Sequence, residues 1–275
     1  MHRYNGPIID IHCHLFPENM FAAIWDFFET RGWQVHRQHI DQIAETFRQH
    51  HVRYGVGLSY PHKIGVAAYL NRFMAEVAAE YDLFLPFGSV YVDDPDLREQ
   101  TDFVLDSPKL HGFKFQPLVQ RFDITDQRLD YLYSACVERD FPLLMHIGTA
   151  PYGNEFLGFS HFKKLIDRFP DLRVCVAHMG AFEVDEFLDL VIDHEKMVLD
   201  TAVINVPMPL FDSTWDGNRE KLAAHSDRVC FGSDWPNVPY SYHEALESID
   251  RFPFDADALP GIYYENARRF LKLPD

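Results

Sequence analysis

Short apolar runs recur along this chain, and each gives way to a longer stretch whose apolar positions return every three or four residues. The short runs cover residues 8–13, 53–59, 84–90, 112–116, 142–147, 173–177, 197–201 and 229–232. Runs of that length, bounded by turn residues, predict strands, while the longer period predicts amphipathic helices. The helices are expected over residues 41–50, 66–80, 128–139, 161–169 and 184–193, with Asp126 and Ser160 placed to cap two of them. Strand and helix in alternation predict βα units on a parallel sheet. Eight strands predict one (β/α)8 TIM barrel, and 275 residues fit the roughly 250 that such a barrel needs. No composition break divides the chain, so residues 1–275 are expected to form a single domain. Two connections are long. Residues 15–40 carry Phe16, Phe21, Trp25, Phe27, Phe28 and Trp33, which suit either a helix packed on the barrel or a lid over its mouth. Residues 202–226 form the other.

In a barrel the C-terminal strand ends converge on one face, where chemistry is done. The first strand ends in Ile11-His12-Cys13-His14, and alternation sends His12 and His14 to the same side. With 15 histidines in the chain this pair alone says little. The weight lies in the other ends: His146 closes the fifth strand, His178 the sixth and Asp234 the eighth, each after an apolar run and before a turn. Taken singly, His146 or His178 could be a satisfied buried histidine and Asp234 a helix N-cap. Together they set imidazoles and a carboxylate around one point, a donor set that suits zinc or another divalent metal ion.

The fourth strand reads Leu110-His111-Gly112-Phe113-Lys114-Phe115-Gln116-Pro117. Alternation puts Phe113 and Phe115 towards the helices and Lys114 and Gln116 inside. A buried lysine is unfavourable without a partner, so Lys114 is a catalytic candidate. His62, Lys63, Gln116 and Trp235 are candidates to touch substrate. For His62 and Lys63 a solvated loop serves equally well, and Trp235 could simply pack the rim. Asp200, ending the seventh strand, reads as a hydrogen-bonding partner for a neighbouring loop.

Asp10-Ile11-His12-Cys13-His14, Val176-Ala177-His178-Met179-Gly180, Phe231-Gly232-Ser233-Asp234-Trp235-Pro236 and Tyr264-Glu265-Asn266-Ala267-Arg268-Arg269 resemble motifs of the amidohydrolase superfamily. Within it they are most similar to the amidohydrolase-2 group, which includes aminocarboxymuconate-semialdehyde decarboxylase, γ-resorcylate decarboxylase and pyrone-dicarboxylate lactonase. The resemblance implies one metal on His12, His14, His146 and Asp234, with His178 as acid, base or substrate-orienting group. It also implies an alternative. In binuclear members a fourth-strand lysine is carboxylated and bridges two metals, which here would recruit His146 and His178 to the second. Otherwise Lys114 stays cationic and binds a substrate carboxylate, or forms a structural ion pair. The expected activity is hydrolysis of a small amide, ester or lactone by a metal-activated water, with Asp234 taking the proton and His178 assisting. The alternative is non-oxidative decarboxylation of a small, possibly aromatic, acid, and a third reading is a barrel that only binds a ligand.

A net charge of −17 argues against nucleic acid, whose phosphates need clustered Lys and Arg. It also means that an anionic small-molecule substrate requires a local cation. The four cysteines, Cys13, Cys136, Cys175 and Cys230, are scattered and form no CxxC pair, as expected for thiols in a reducing compartment. The first residues lack the apolar core of a signal peptide and no run matches a membrane span, so a cytoplasmic protein is expected, with self-association left open.

Overall fold

The computed structural model describes residues 3–209 and 211–274. Seven regular strands appear among them: β1 (Ile8–His14), β2 (Val52–Leu58), β3 (Phe113–Phe115), β4 (Leu143–Met145), β5 (Val174–Val176), β6 (Met197–Asp200) and β7 (Val229–Cys230). β1 and β2 pair in parallel, and β3 to β7 form a five-stranded parallel sheet in chain order. The expected strand over residues 84–90 is not a regular one. Pro86 has no N–H to give to a ladder. The segment is still bonded on both sides. Leu85 and Phe87 donate to Gly55 and Gly57 of β2, both at 2.9 Å, while Gly88 donates to Gly112 at 2.9 Å and accepts from Lys114 at 2.8 Å. The far seam is stitched by Ile11 donating to Phe231 (3.0 Å), Asp234 to His12 (2.7 Å) and His14 to Trp235 (2.7 Å). Eight strand positions therefore circle the molecule with the TIM-barrel arrangement, although short strands leave two sheets joined by isolated bridges.

Register decides which side chains fill the inside. Lys114, Leu144, Cys175 and Val198 are consecutive partners across β3 to β6, so they form one inward rung. Leu144, Cys175 and Val198 pack with Ile9, Ile11, Val56, Leu58 and Cys230, and with Ala267, Phe270 and Leu271 from the C-terminal segment. Phe113 and Phe115 face the helices as alternation predicts, Phe115 meeting Phe122 and Tyr133 edge-on at 5.5 and 6.1 Å. All four cysteines are buried and free.

Helices form at Ile40–Gln49, Val66–Glu80, Asp130–Arg139, Phe159–Arg168 and Val184–Ile192, matching the periodic stretches. Asp126 caps as expected, accepting from the Arg128 N–H at 2.9 Å. Ser160 does not, because it lies inside its helix, whose first N–H, on Phe159, is taken by the Glu183 carboxylate at 3.0 Å. The aromatic segment holds a helix at Glu18–Glu29 that buries Phe21 and Trp25, their rings stacked at 4.9 Å. The Trp25 and Trp33 indoles donate to the Asn237 side chain and carbonyl at 3.1 and 2.9 Å, so this segment is packed onto the loop after β7. Among the described residues no helix is long and apolar enough to cross a membrane.

Candidate metal centre

Strict alternation along β1 would put Asp10, His12 and His14 on one face. The structure separates them. Between Asp10 and Cys13, β1 has one more residue than β2 has between their partners Gly55 and Gly57, a bulge that switches the phase of the strand. Ile9 and Ile11 therefore fill the interior, while His12 and His14 enter above them and Cys13 turns out to the helix layer. Asp10 instead clamps the seam. It accepts from the N–H groups of His12 and Ser233 (both 3.0 Å), the Ser233 hydroxyl (2.5 Å) and the Tyr242 phenol (3.0 Å).

Around the strand ends four imidazoles stand side by side. His14 to His12, His12 to His178 and His178 to His146 are 5.2, 4.9 and 4.9 Å apart by ring centroids. Their hydrogen bonds assign the tautomers. His12 Nδ1–H donates to Asp200 at 2.9 Å, and His14 Nδ1–H to the Leu58 carbonyl at 3.3 Å. His178 Nδ1–H donates to the Ala202 carbonyl at 3.2 Å, which makes His178 Nε2 the acceptor for His146 Nδ1–H at 3.1 Å. In His12 and His146 the Nε2 lone pair is then left free, while His14 Nε2 is in hydrogen-bond contact with Asp234 Oδ1 at 2.8 Å. Burial, with the Lys114 ammonium nearby, holds His12 and His146 well below the ordinary imidazole range, and His178 adds to the effect on His146. Neutral imidazoles whose second nitrogen is already tied are the form that ligates metals.

Asp234 completes the group. Its Oδ1 lies 2.8 Å from His14 Nε2 and 3.2 Å from His12 Nε2. The ligand atoms of His12, His14 and Asp234 all fall within 4.8 Å of one another. Donor atoms each bonded at about 2.0–2.2 Å to one zinc lie roughly 3 Å apart, so the spacing fits. His12 Nε2 and His146 Nε2 are buried with no hydrogen-bond partner, which a bound cation would correct. Burial alone would raise the Asp234 carboxyl, but His12 and His14 outweigh it and hold the group well below the usual carboxylate range. Asp234 does not cap the following helix, whose N-cap is Ser241 paired with Glu244. His12, His178 and Asp200 make a second close group, but Asp200 binds the Nδ1 side of His12, away from the free lone pair.

Asp200 is the residue that sequence reasoning undervalued. Besides His12 it takes the N–H groups of His178 and Ala202 at 3.0 and 3.1 Å, so one carboxylate sets two histidines. A Cβ on Gly232 would lie 3.0 Å from His12 Cβ and 3.3 Å from Asp200 Cβ, so glycine keeps that pair in contact. His178, Met179, Val203, Asn205 and Asp234 are all non-glycine residues with φ between 53° and 71°, and this left-handed backbone gathers on the loops of the site.

Lys114 points inside, fully buried, and its ammonium has no hydrogen-bond partner. Burial pushes it down to about 8, against the attraction of Asp234 and then Asp200. Gln116 lies beyond it on the same face and is 8% exposed. Other expected contacts fall elsewhere. His62 and Lys63 are exposed on the loop after β2. Trp235 is buried, its ring on His36 at 4.3 Å and its N–H given to Gln38 at 2.9 Å, which is rim packing and leaves no open face for a substrate. A cavity of about 800 Å³ opens on the loop after β6, beside Asn205, Phe211 and Trp215, and none of the metal-ligand candidates lines it.

Comparison with known proteins places this geometry. None of the curated proteins compared matches the chain. A TIM-barrel protein of unassigned function from Bordetella bronchiseptica superposes with a TM-score of 0.75 at 21% identity, covering 97% of this chain and 99% of that one. A 2,6-dihydroxybenzoate decarboxylase from Rhizobium superposes at 0.65 with 16% identity, over 97% and 98% of the two chains. A 5-carboxyvanillate decarboxylase from Novosphingobium aromaticivorans, solved with manganese and 4-hydroxy-3-methoxy-5-nitrobenzoic acid, superposes at 0.67 with 14% identity, over 98% and 97%. At such identities the likeness speaks to the fold. The family model described as amidohydrolase matches residues 9–273, nearly the whole chain, and this protein therefore belongs to the amidohydrolase-2 family and is an enzyme of the amidohydrolase superfamily.

Proposed function

We propose that this enzyme is a metal-dependent, non-oxidative decarboxylase of a small carboxylic acid, rather than the hydrolase that its motifs first suggested. The observation that carries this reading is Lys114, a wholly buried ammonium without a hydrogen-bond partner beside the ligand group. A substrate carboxylate would supply the hydrogen-bond acceptor that the ammonium lacks. Solved relatives whose names state decarboxylation of 2,6-dihydroxybenzoate and 5-carboxyvanillate lend support, and they suggest an aromatic acid.

His12, His14, His146 and Asp234 would hold one divalent ion, zinc by the nature of the donors. When bound, it supplies a Lewis acid that grips and polarises substrate oxygens. Lys114 orients the carboxylate that leaves. The reaction balances as R–COO⁻ + H⁺ → R–H + CO2, with the unpartnered Lys114 ammonium the group to carry the proton. The test is to offer metal-loaded enzyme a panel of benzoates with hydroxyl and methoxy substituents, and a panel of lactones and esters. One CO2 per acid consumed, with proton uptake, is expected. Lactone or ester cleavage with acid release and no CO2 would return the enzyme to the hydrolases.

A further inference from the structure

Lys114 is not alone in lacking a partner. Gln116 sits two residues further along the same inward face, and its backbone is firmly placed. Its N–H donates to Gln120 Oε1 at 2.6 Å, its carbonyl accepts from Val119 and Gln120 at 2.9 Å, and the Gln120 amide is anchored on the Val90 carbonyl at 2.8 Å. The Gln116 side chain is more than nine-tenths buried, yet its Oε1 has no hydrogen-bond partner. The Ser59 hydroxyl, just past the end of β2 and 1% exposed, has none either. Tyr60 follows Ser59 in the chain, and its ring meets His14 edge-on at 5.7 Å and Phe16 at 5.3 Å. The Gln116 side chain adjoins the Tyr60 phenol, and Asp234 acts on the same phenol, so this wall borders the ligand group.

Buried polar atoms are seldom left unpaired unless a ligand or an ordered water completes them. The atoms here also restrict what the ligand can be. Gln116 Oε1 is an acceptor only, so it takes an O–H or N–H. A second carboxylate facing that oxygen would meet it acceptor to acceptor, with no proton between them. Lys114 is the single lysine among the buried polar residues described, and there is no arginine among them.

We infer that Gln116 is a specificity-determining residue. It accepts a hydrogen bond from a neutral hydroxyl or amine on the substrate, while Lys114 meets the carboxylate, so the site selects monocarboxylates bearing such a donor over dicarboxylates. This rests on the acid-binding reading above, so the test measures binding rather than turnover. Metal-loaded enzyme is titrated calorimetrically with benzoate, the three monohydroxybenzoates and the three phthalates. At least one hydroxybenzoate should bind about tenfold tighter than benzoate, because a site with a buried acceptor penalises a ligand that leaves it unpaired. The phthalates should bind no better than benzoate. Gln116→Leu should erase the hydroxyl preference, leaving benzoate affinity and metal content unchanged, and Gln116→Met gives the same readout should the leucine variant fold poorly. Gln116→Lys should raise affinity for a phthalate. Equal binding of benzoate and every hydroxybenzoate, or a preference that survives in the leucine and methionine variants, overturns the inference while sparing the acid-binding reading. Failure of any acid to bind overturns both.

Discussion

The two walls of the site differ in how completely their polar groups are satisfied. On the side of β1, β6 and β7, Asp10 takes four hydrogen bonds and Asp200 ties down His12, His178 and Ala202. On the side of β2 and β3, Ser59, Lys114 and Gln116 each keep a buried atom without a partner. Networks in which every member is paired fix geometry, and unpaired buried groups carry a standing penalty. The first wall is built to hold its ligands still before anything binds. The second is built to be completed by something that arrives and leaves. A metal held on one wall and a substrate read by the other accounts for both.

The division breaks most sharply at the metal. His12→Ala combined with His14→Ala should remove the ion and all measurable turnover while circular dichroism still reports the fold, since packing of the barrel supplies most of the stability. Unchanged metal content by elemental analysis in that double variant would refute the ligand assignment. Next comes Asp234→Asn, which keeps shape and removes charge. Turnover and metal affinity should both fall by at least about 10–100-fold, the effect of removing even an outer partner of a metal ligand. Normal turnover at full metal occupancy would make the carboxylate a bystander.

Asp200→Asn probes the satisfied wall from behind. The weakened hold on the His12 tautomer should lower metal affinity by about 10–100-fold, the usual effect of an outer partner. Chelator competition measures it, and an unchanged affinity would reduce Asp200 to a loop anchor. Lys114→Met probes the open wall. It should raise KM for acids and leave metal content intact. Loss of a second metal on that change would instead indicate the carboxylated, binuclear form.

The smallest expected effect lies at the opposite end of the barrel and serves as a control. Asp140 receives Arg173 through two bonds of 2.7 and 3.1 Å, and Lys196 at 3.2 Å. Arg173 first, then Lys196, hold its carboxyl well below the ordinary range. A carboxyl with a depressed folded-state pKa stabilises the protein above the unfolded value near 4 and loses that contribution as pH falls through the folded value. Asp140→Asn should therefore cost about 1 kcal/mol near neutrality, discounted for partial exposure, and progressively less in acid. Denaturant titrations at pH 7 and pH 3 compare the two, and site activity should not move. A gap that widens in acid would contradict the sign.

How far the sequence could be read varies from element to element. The helix at Val66–Glu80 is found at the expected residues because its apolar period is unbroken. The strand expected over residues 84–90 was legible as an apolar run, but a proline within it prevents a regular ladder, and only neighbours on both sides keep it in the ring. Lys114 could be placed inside because two phenylalanines flank it in a strand, where faces alternate. Asp200 was not legible as a partner of His12, because nothing local ties residue 200 to residue 12. Trp235, next to a ligand, looked available to substrate, and the segment holding His36 and Gln38 covers it.

By itself the sequence determined the βα rhythm, the polar residues at the strand ends and the inward lysine, since these follow from periods of 2 and 3.6 that any local stretch carries. Only the tertiary structure decided which nitrogen of each histidine is free, which carboxylate is a ligand and which a support, and which polar atoms await a ligand. Those are properties of contacts between segments up to 232 residues apart. A hydrogen bond of about 3 Å is set by how the ring of strands closes, and no periodicity in the chain encodes that.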